Sequence, residues 1–170
     1  MKKMNLIIVC VCLSLVASPA IALQSSNTIA VSVLVQGAFG LRVNSDSFDF
    51  ANLLPGQTGN MSRSDGIVVA GTSSSGNPWY LVVAAAKPLS SGSDFIPSDN
   101  FTWRSSSEGK GEWYGSRDRS LEQQNTAYIS NVDESSSAAV VANRFKFRLH
   151  VPEDTKPGSY TTTVMFTMTE

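Results

Sequence analysis

From residue 29 to the C-terminus, apolar and polar positions alternate with period two in segment after segment. Ile29, Val31, Val33 and Val35 alternate with Ala30, Ser32, Leu34 and Gln36. Phe39, Leu41 and Val43 alternate with Gly40, Arg42 and Asn44, and Phe48 and Phe50 flank Asp49. Phe145, Phe147, Leu149 and Val151 alternate with Lys146, Arg148 and His150. After the turn-rich stretch Pro152 to Gly158, Tyr160, Thr162, Val164, Phe166 and Met168 alternate with Thr161, Thr163, Met165, Thr167 and Thr169. Side chains on a strand point to opposite faces in turn, so each segment predicts a strand with one buried face. No window carries convincing i, i+3, i+4, i+7 apolar spacing, the mark of an amphipathic helix.

Gly66 to Thr72 and Trp79 to Ala85 are apolar runs separated by Ser73-Ser74-Ser75-Gly76-Asn77-Pro78. That separator is turn chemistry, and the pair predicts a hairpin. Ser105 to Asn125 breaks the rhythm with three glycines, several charges, Trp113 and Tyr114, and predicts a long surface loop near 105–125. Asp133 to Ser137 predicts a second polar turn. Short strands joined by Gly, Pro and Ser turns predict an all-β fold, an immunoglobulin-like antiparallel β-sandwich.

The N-terminus has a different pattern. Lys2 and Lys3 precede an apolar run from Leu6 to Ala17, and small residues follow at Ala20 and Ala22. This predicts a secretory signal peptide over residues 1–22, cleaved after Ala22, with a single domain over 23–170. The run is shorter than the ~20 residues that a membrane span needs, so no transmembrane segment is expected after cleavage. Cys10 and Cys12 follow Val9 and Val11 rather than the small residue a lipoprotein requires, and both leave with the leader. The exported chain is thus expected to be cysteine-free, held by packing rather than disulfides. Its expected location is extracellular, at the cell surface or in the periplasm.

Composition narrows the function. Charged residues are 16% of the chain, with 13 basic against 14 acidic side chains and a net charge of −1. Such a balance gives no strong field to gather nucleic acid, and none is expected as a partner. Catalytic groups are scarce. His150 is the only histidine and falls on the polar face of a strand beside Lys146 and Arg148, which reads as a solvated position. No Gly-x-Ser-x-Gly elbow and no Cys/His zinc spacing is present. The acids lie mostly in turns, so no catalytic carboxylate pair can be assigned, and neither an enzymatic role nor a cofactor is expected. Asp94 with Asp99, and Glu153 with Asp154, are loop carboxylates that would suit calcium, but neither follows the EF-hand spacing, and no metal residue is assigned.

Aromatic residues supply the binding candidates. Phe101-Thr102-Trp103-Arg104 leads into Gly111-Glu112-Trp113-Tyr114-Gly115. Trp113 and Tyr114, with Trp103, are the candidate ligand-binding residues: a platform for sugar rings or an anchor for a protein partner. The alternative is that Trp113 folds back as a lid over one end of the sandwich. Trp79, Leu81, Phe166 and Met168 share faces with Val83 and Val164 and read as core.

Several landmarks follow one order: Phe48-Asp49-Phe50, then Leu53-Leu54-Pro55-Gly56, then Pro78-Trp79-Tyr80-Leu81-Val82-Val83, and a closing Pro157-Gly158-Ser159-Tyr160 strand to Glu170. This order resembles the WxL domain of bacterial surface proteins, a secreted all-β domain with two Trp-x-Leu motifs. Trp79-Tyr80-Leu81 matches the first motif, and Phe166-Thr167-Met168 stands at the second with Phe for Trp and Met for Leu. The resemblance implies non-covalent attachment to cell-wall peptidoglycan, often among other envelope proteins. The expected function is a secreted, non-enzymatic surface or envelope module, structural, adhesive or cell-wall-binding. The alternatives are a carbohydrate-binding module using the loop aromatics, or a surface-fibre subunit in which the strand Tyr160–Thr169 pairs in cis or complements a neighbour.

Overall fold

The structure is a computed structural model that describes residues 25–27, 38–121 and 124–170. The expected leader and the alternating segment from Ile29 to Gln36 lie outside the described residues. The strands are β1 Ser25–Asn27, β2 Phe39–Val43, β3 Thr58–Asn60, β4 Ile67–Ser73, β5 Tyr80–Ala85, β6 Leu89–Ser91, β7 Asp94–Ile96, β8 Phe101–Ser107, β9 Glu112–Trp113, β10 Arg119–Ser120, β11 Asn125–Ile129, β12 Val141–His150 and β13 Val164–Thr169. Among the described residues one short α-helix, α1, covers Val132–Ser136, and a single 3-10 turn covers Ser98–Asn100.

Two antiparallel sheets pack as a sandwich. The front sheet has the order β1-β13-β5-β11-β9; the back sheet runs β10-β8-β12-β4-β2, with β3 also on β12. β6 and β7 form a separate two-stranded ribbon. The period-two pattern is realised most fully in β12, where Val141, Asn143, Phe145, Phe147 and Leu149 are buried while Arg144, Lys146, Arg148 and His150 are exposed. From the back sheet, Phe101, Trp103, Ile67 and Val69 join them; from the front sheet come Leu81, Val83, Phe166 and Met168. Phe166 meets the Phe145 ring edge-on, with centroids 4.8 Å apart. Phe48 and Phe50 lie outside any strand, yet Phe48 stacks on Phe147 at 4.7 Å and so closes one end of the core. A bulge in β11 between Thr126 and Tyr128 turns both Ala127 and Tyr128 inward.

The expected hairpin between residues 66–72 and 79–85 does not form. β4 belongs to the back sheet and β5 to the front sheet, so the serine-rich segment carries the chain across the core. The crossing is held at its far end, where Trp79 N–H donates to Ser130 Oγ at 2.9 Å and Ser130 N–H donates to the Trp79 carbonyl. Two apolar strands joined by turn residues fit a hairpin and an inter-sheet crossing equally, and a large buried side chain beside the turn favours the crossing. Trp79 is fully buried, and its ring lies over Gly71 so closely that a Cβ there would approach the indole to 2.7 Å.

The segment expected as a surface loop is partly strand. Ser105–Ser107 complete β8, Glu112–Trp113 cross to the front sheet against β11, and Arg119–Ser120 return to β8. Its serines and glycines hide the alternation because a small residue can be buried without being apolar: Ser105 is buried, and its N–H donates to the Gly115 carbonyl at 2.9 Å. The polar turn at 133–137 overlaps α1, which is capped by Asn131 and Glu134 in a reciprocal capping box. The C-terminal strand β13 pairs in cis with β5 from Val164↔Ala85 to Thr169↔Tyr80.

Candidate functional site

The three candidate binding aromatics separate. Trp103 is fully buried on β8, tilted against Phe145 with centroids 5.5 Å apart. It offers no face to a ligand, and the expectation for it is corrected: its position alternates inward with Phe101 and Ser105. Trp113 sits at the free end of an inward-facing row, Met168–Leu81–Tyr128–Trp113, that spans the front sheet. Its indole N–H donates across to Ser105 Oγ of the back sheet at 3.0 Å, and 41% of the residue remains exposed. This is the geometry of a lid along the sandwich's lateral edge.

Tyr114 lies on the other side of the same sheet. The next row is Thr169–Tyr80–Ile129–Glu112, and residues opposite one another in a ladder share a face. Tyr80 and Glu112 are exposed, and Ile129 between them is half-buried. Tyr114, two residues beyond Glu112, donates its hydroxyl to Glu112 Oε2. That hydrogen bond holds the Tyr114 phenol above the usual tyrosine range, and the Tyr80 hydroxyl is near enough to act in the same sense. Arg119 Nε donates to the Tyr114 carbonyl at 2.9 Å and fixes the backbone there. The outer face of the front sheet thus carries two tyrosines, an isoleucine and a carboxylate. Sequence reasoning missed Tyr80 because it occupies the middle of the Trp-x-Leu motif; the outward phase of Tyr80 between Trp79 and Leu81 was the available signal.

The motif residues Trp79, Leu81, Phe166 and Met168 are all buried. A separate groove of about 790 Å³ opens at the end of the sandwich, lined by Phe48, Phe50, Leu53, Leu89 and Tyr160 among others.

Several ionisable groups have structural partners. His150 is exposed, its Nδ1 2.9 Å from Thr58 Oγ1. Asp94, once a calcium candidate, accepts from Lys156 at 2.7 Å, and that contact raises the lysine above its ordinary value. No group of three or more His, Cys, Asp or Glu side chains is placed to hold a metal among the described residues. Glu134 is the one buried carboxylate among the described residues. Oε1 accepts from Lys110 N–H at 2.6 Å; Oε2 accepts from Tyr128 O–H at 2.7 Å and Asn131 N–H at 3.0 Å. Burial pushes the carboxyl up, but these donors together outweigh it and hold it below the ordinary value. Burial, and then the bond to Glu134, push the Tyr128 phenol upward.

Comparison with protein-family profiles, with curated proteins and with solved structures finds no match.

Proposed function

We propose that this chain is an exported, non-enzymatic module of the cell surface or envelope, an immunoglobulin-like β-sandwich that works by holding cell-wall glycan. The observation that carries the reading is the outer face of the front sheet, where Tyr80 and Tyr114 flank Ile129 beside the Glu112 carboxylate. Tyrosine rings offer apolar faces to the C–H side of a sugar, and a carboxylate accepts hydrogen bonds from its hydroxyls. Three residues on adjacent strands, with Tyr114 directly after β9, need little rearrangement to present that surface. The leader-like N-terminus and the Trp-x-Leu resemblance support the location and the polymer.

Sedimentation with purified peptidoglycan, with chitin as control, tests this. Retention on peptidoglycan that Tyr80→Ala/Tyr114→Ala abolishes, while the melting temperature stays within a few degrees, is the expected result. Equal retention of the double variant, or recovery of the parent protein in the supernatant, would refute it.

A further inference from the structure

The back sheet has an outer face of quite different chemistry. Its exposed positions include Arg42 on β2, Arg104 on β8, and Arg144, Lys146 and Arg148 on β12. Lys146 and Arg104 are direct register partners. Like charges directly opposite on one face of a sheet repel and destabilise the pair. Neither side chain has a hydrogen-bond or ion-pair partner among the described residues, whereas Arg63 pairs with Asp65 at 3.1 Å and Arg148 with Asp118 at 3.5 Å. Arg63, Arg104, Lys146 and Arg148 together line a cleft of about 520 Å³ whose only acid among the described residues is Asp118. Asn60, Thr58 and Ser64 complete the wall with amide and hydroxyl groups.

We propose that this cleft and the strand face running from it bind a linear anionic glycan, with a phosphate or carboxylate seated between Arg104 and Lys146. An anion there turns a repulsive pair into two charge-assisted hydrogen-bonding partners. The cations of β12 recur at every second residue, about 6.8 Å apart along the strand. One small anion has no use for that repeat, but a charged chain polymer does. The exposed neighbours on this face include Asn60, Thr58 and Ser106, which suit the hydroxyls of a sugar or polyol backbone. Base stacking by a nucleic acid would need exposed aromatics, and the exposed Tyr, Phe and Trp residues among those described, Tyr80, Phe95 and Trp113, lie on other sheets. This site is on the opposite face from Tyr80 and Tyr114 and does not rest on their reading.

The test is binding of the purified protein to four immobilised probes: a glycerol-phosphate polymer, polygalacturonate, neutral dextran and single-stranded DNA. Retention on the phosphate or the uronate polymer at about 0.05 M salt, absent on dextran and lost by about 0.5 M, is expected, because screening shortens over that range. Which of the two polymers is held assigns the anion. Arg104→Gln/Lys146→Gln should weaken binding at least about tenfold, because both charge-assisted partners of the anion are lost. Lys87→Gln/Lys110→Gln removes the same charge elsewhere and should leave it within about twofold. Tyr80→Ala/Tyr114→Ala should not alter it, which separates this site from the front-sheet surface. The proposal fails if neither polymer is retained, if both charge-neutralised pairs lose equally, or if DNA is held as tightly as the glycans.

Discussion

Glu134→Ala should destabilise the protein by about 2–4 kcal/mol. The figure combines the lost Glu134 half of the capping box, the bond it accepts from Asn131 N–H, about 1 kcal/mol, with a buried Tyr128 hydroxyl left without an acceptor, about 1–3 kcal/mol. Lys110 is exposed, so its freed N–H turns to water and adds little. Glu134→Gln keeps one acceptor oxygen and should cost less, about 1–2 kcal/mol at neutral pH. The pH dependence has a definite sign. The folded carboxyl lies below its ordinary value of 4.5, so its contribution is complete above that value and is lost as pH falls through the folded one. The gap between the parent and Glu134→Gln should therefore close in acid. Urea unfolding at neutral pH and at a series of acid pH values measures both. A cost below about 1 kcal/mol for Glu134→Ala, or a gap independent of pH, would refute the network. Binding to every glycan probe should be unchanged by Glu134→Gln. A shifted carboxylate is a common mark of an active site, and here its donors are two backbone amides and a core tyrosine.

Phe166→Ala should cost about 3–5 kcal/mol in urea unfolding, since its ring is buried against Phe145 and Phe147; a loss under about 1 kcal/mol would mean the ring is dispensable to the core. Gly71→Ala should cost about 1–3 kcal/mol by pressing a methyl on Trp79, and an unchanged midpoint would show that the indole has room to shift. Asn143→Leu should leave stability level or raise it by about 1 kcal/mol, because both amide atoms of Asn143 are buried without a hydrogen-bond partner among the described residues; a loss above about 2 kcal/mol would refute that. Above about pH 10 the protein should lose stability as pH rises, because Tyr128 resists ionisation in the fold and ionises freely once unfolded; a Tyr128→Phe variant should show a smaller loss in alkaline unfolding curves, and an equal loss would refute the assignment to Tyr128.

The strands with large side chains were legible, and those with small ones were not. β12 and β13 announce themselves because Phe, Leu, Val and Met alternate against Lys, Arg and Thr. β8 ends in three serines, and β9 and β10 are two residues each, so a window of alternation has nothing to register. Sheet membership was harder still. Period two tells which residues share a face of one strand and nothing about which sheet the strand joins, and so β4 and β5 looked like a hairpin. The aromatic candidates separate for a related reason. Trp103 and Trp113 are ten residues apart in polar company, yet one falls in an inward phase of a central strand and the other at a sheet edge. Tyr80 was concealed by the motif around it.

The net charge of −1 was read as a chain with no field, and the fold separates what that sum combines. On β12 alone, Arg144, Lys146 and Arg148 occupy consecutive outward positions because the inward ones are taken by Phe145, Phe147 and Leu149. A strand buried on one face must place its charges on the other, so a strict apolar alternation concentrates whatever polar type the sequence supplies. Stability alone favours mixed signs there, as an opposite charge across the ladder contributes ~0.2–1 kcal/mol. Pairing Lys146 with Glu in place of Arg104 would gain that stabilisation without touching the core. If the Arg104→Glu variant folds more stably and no longer holds either anionic polymer, the cation pair is maintained for binding at the expense of the fold. If it folds more stably and binds as before, the pair is a neutral feature of the surface and the anionic site is wrong.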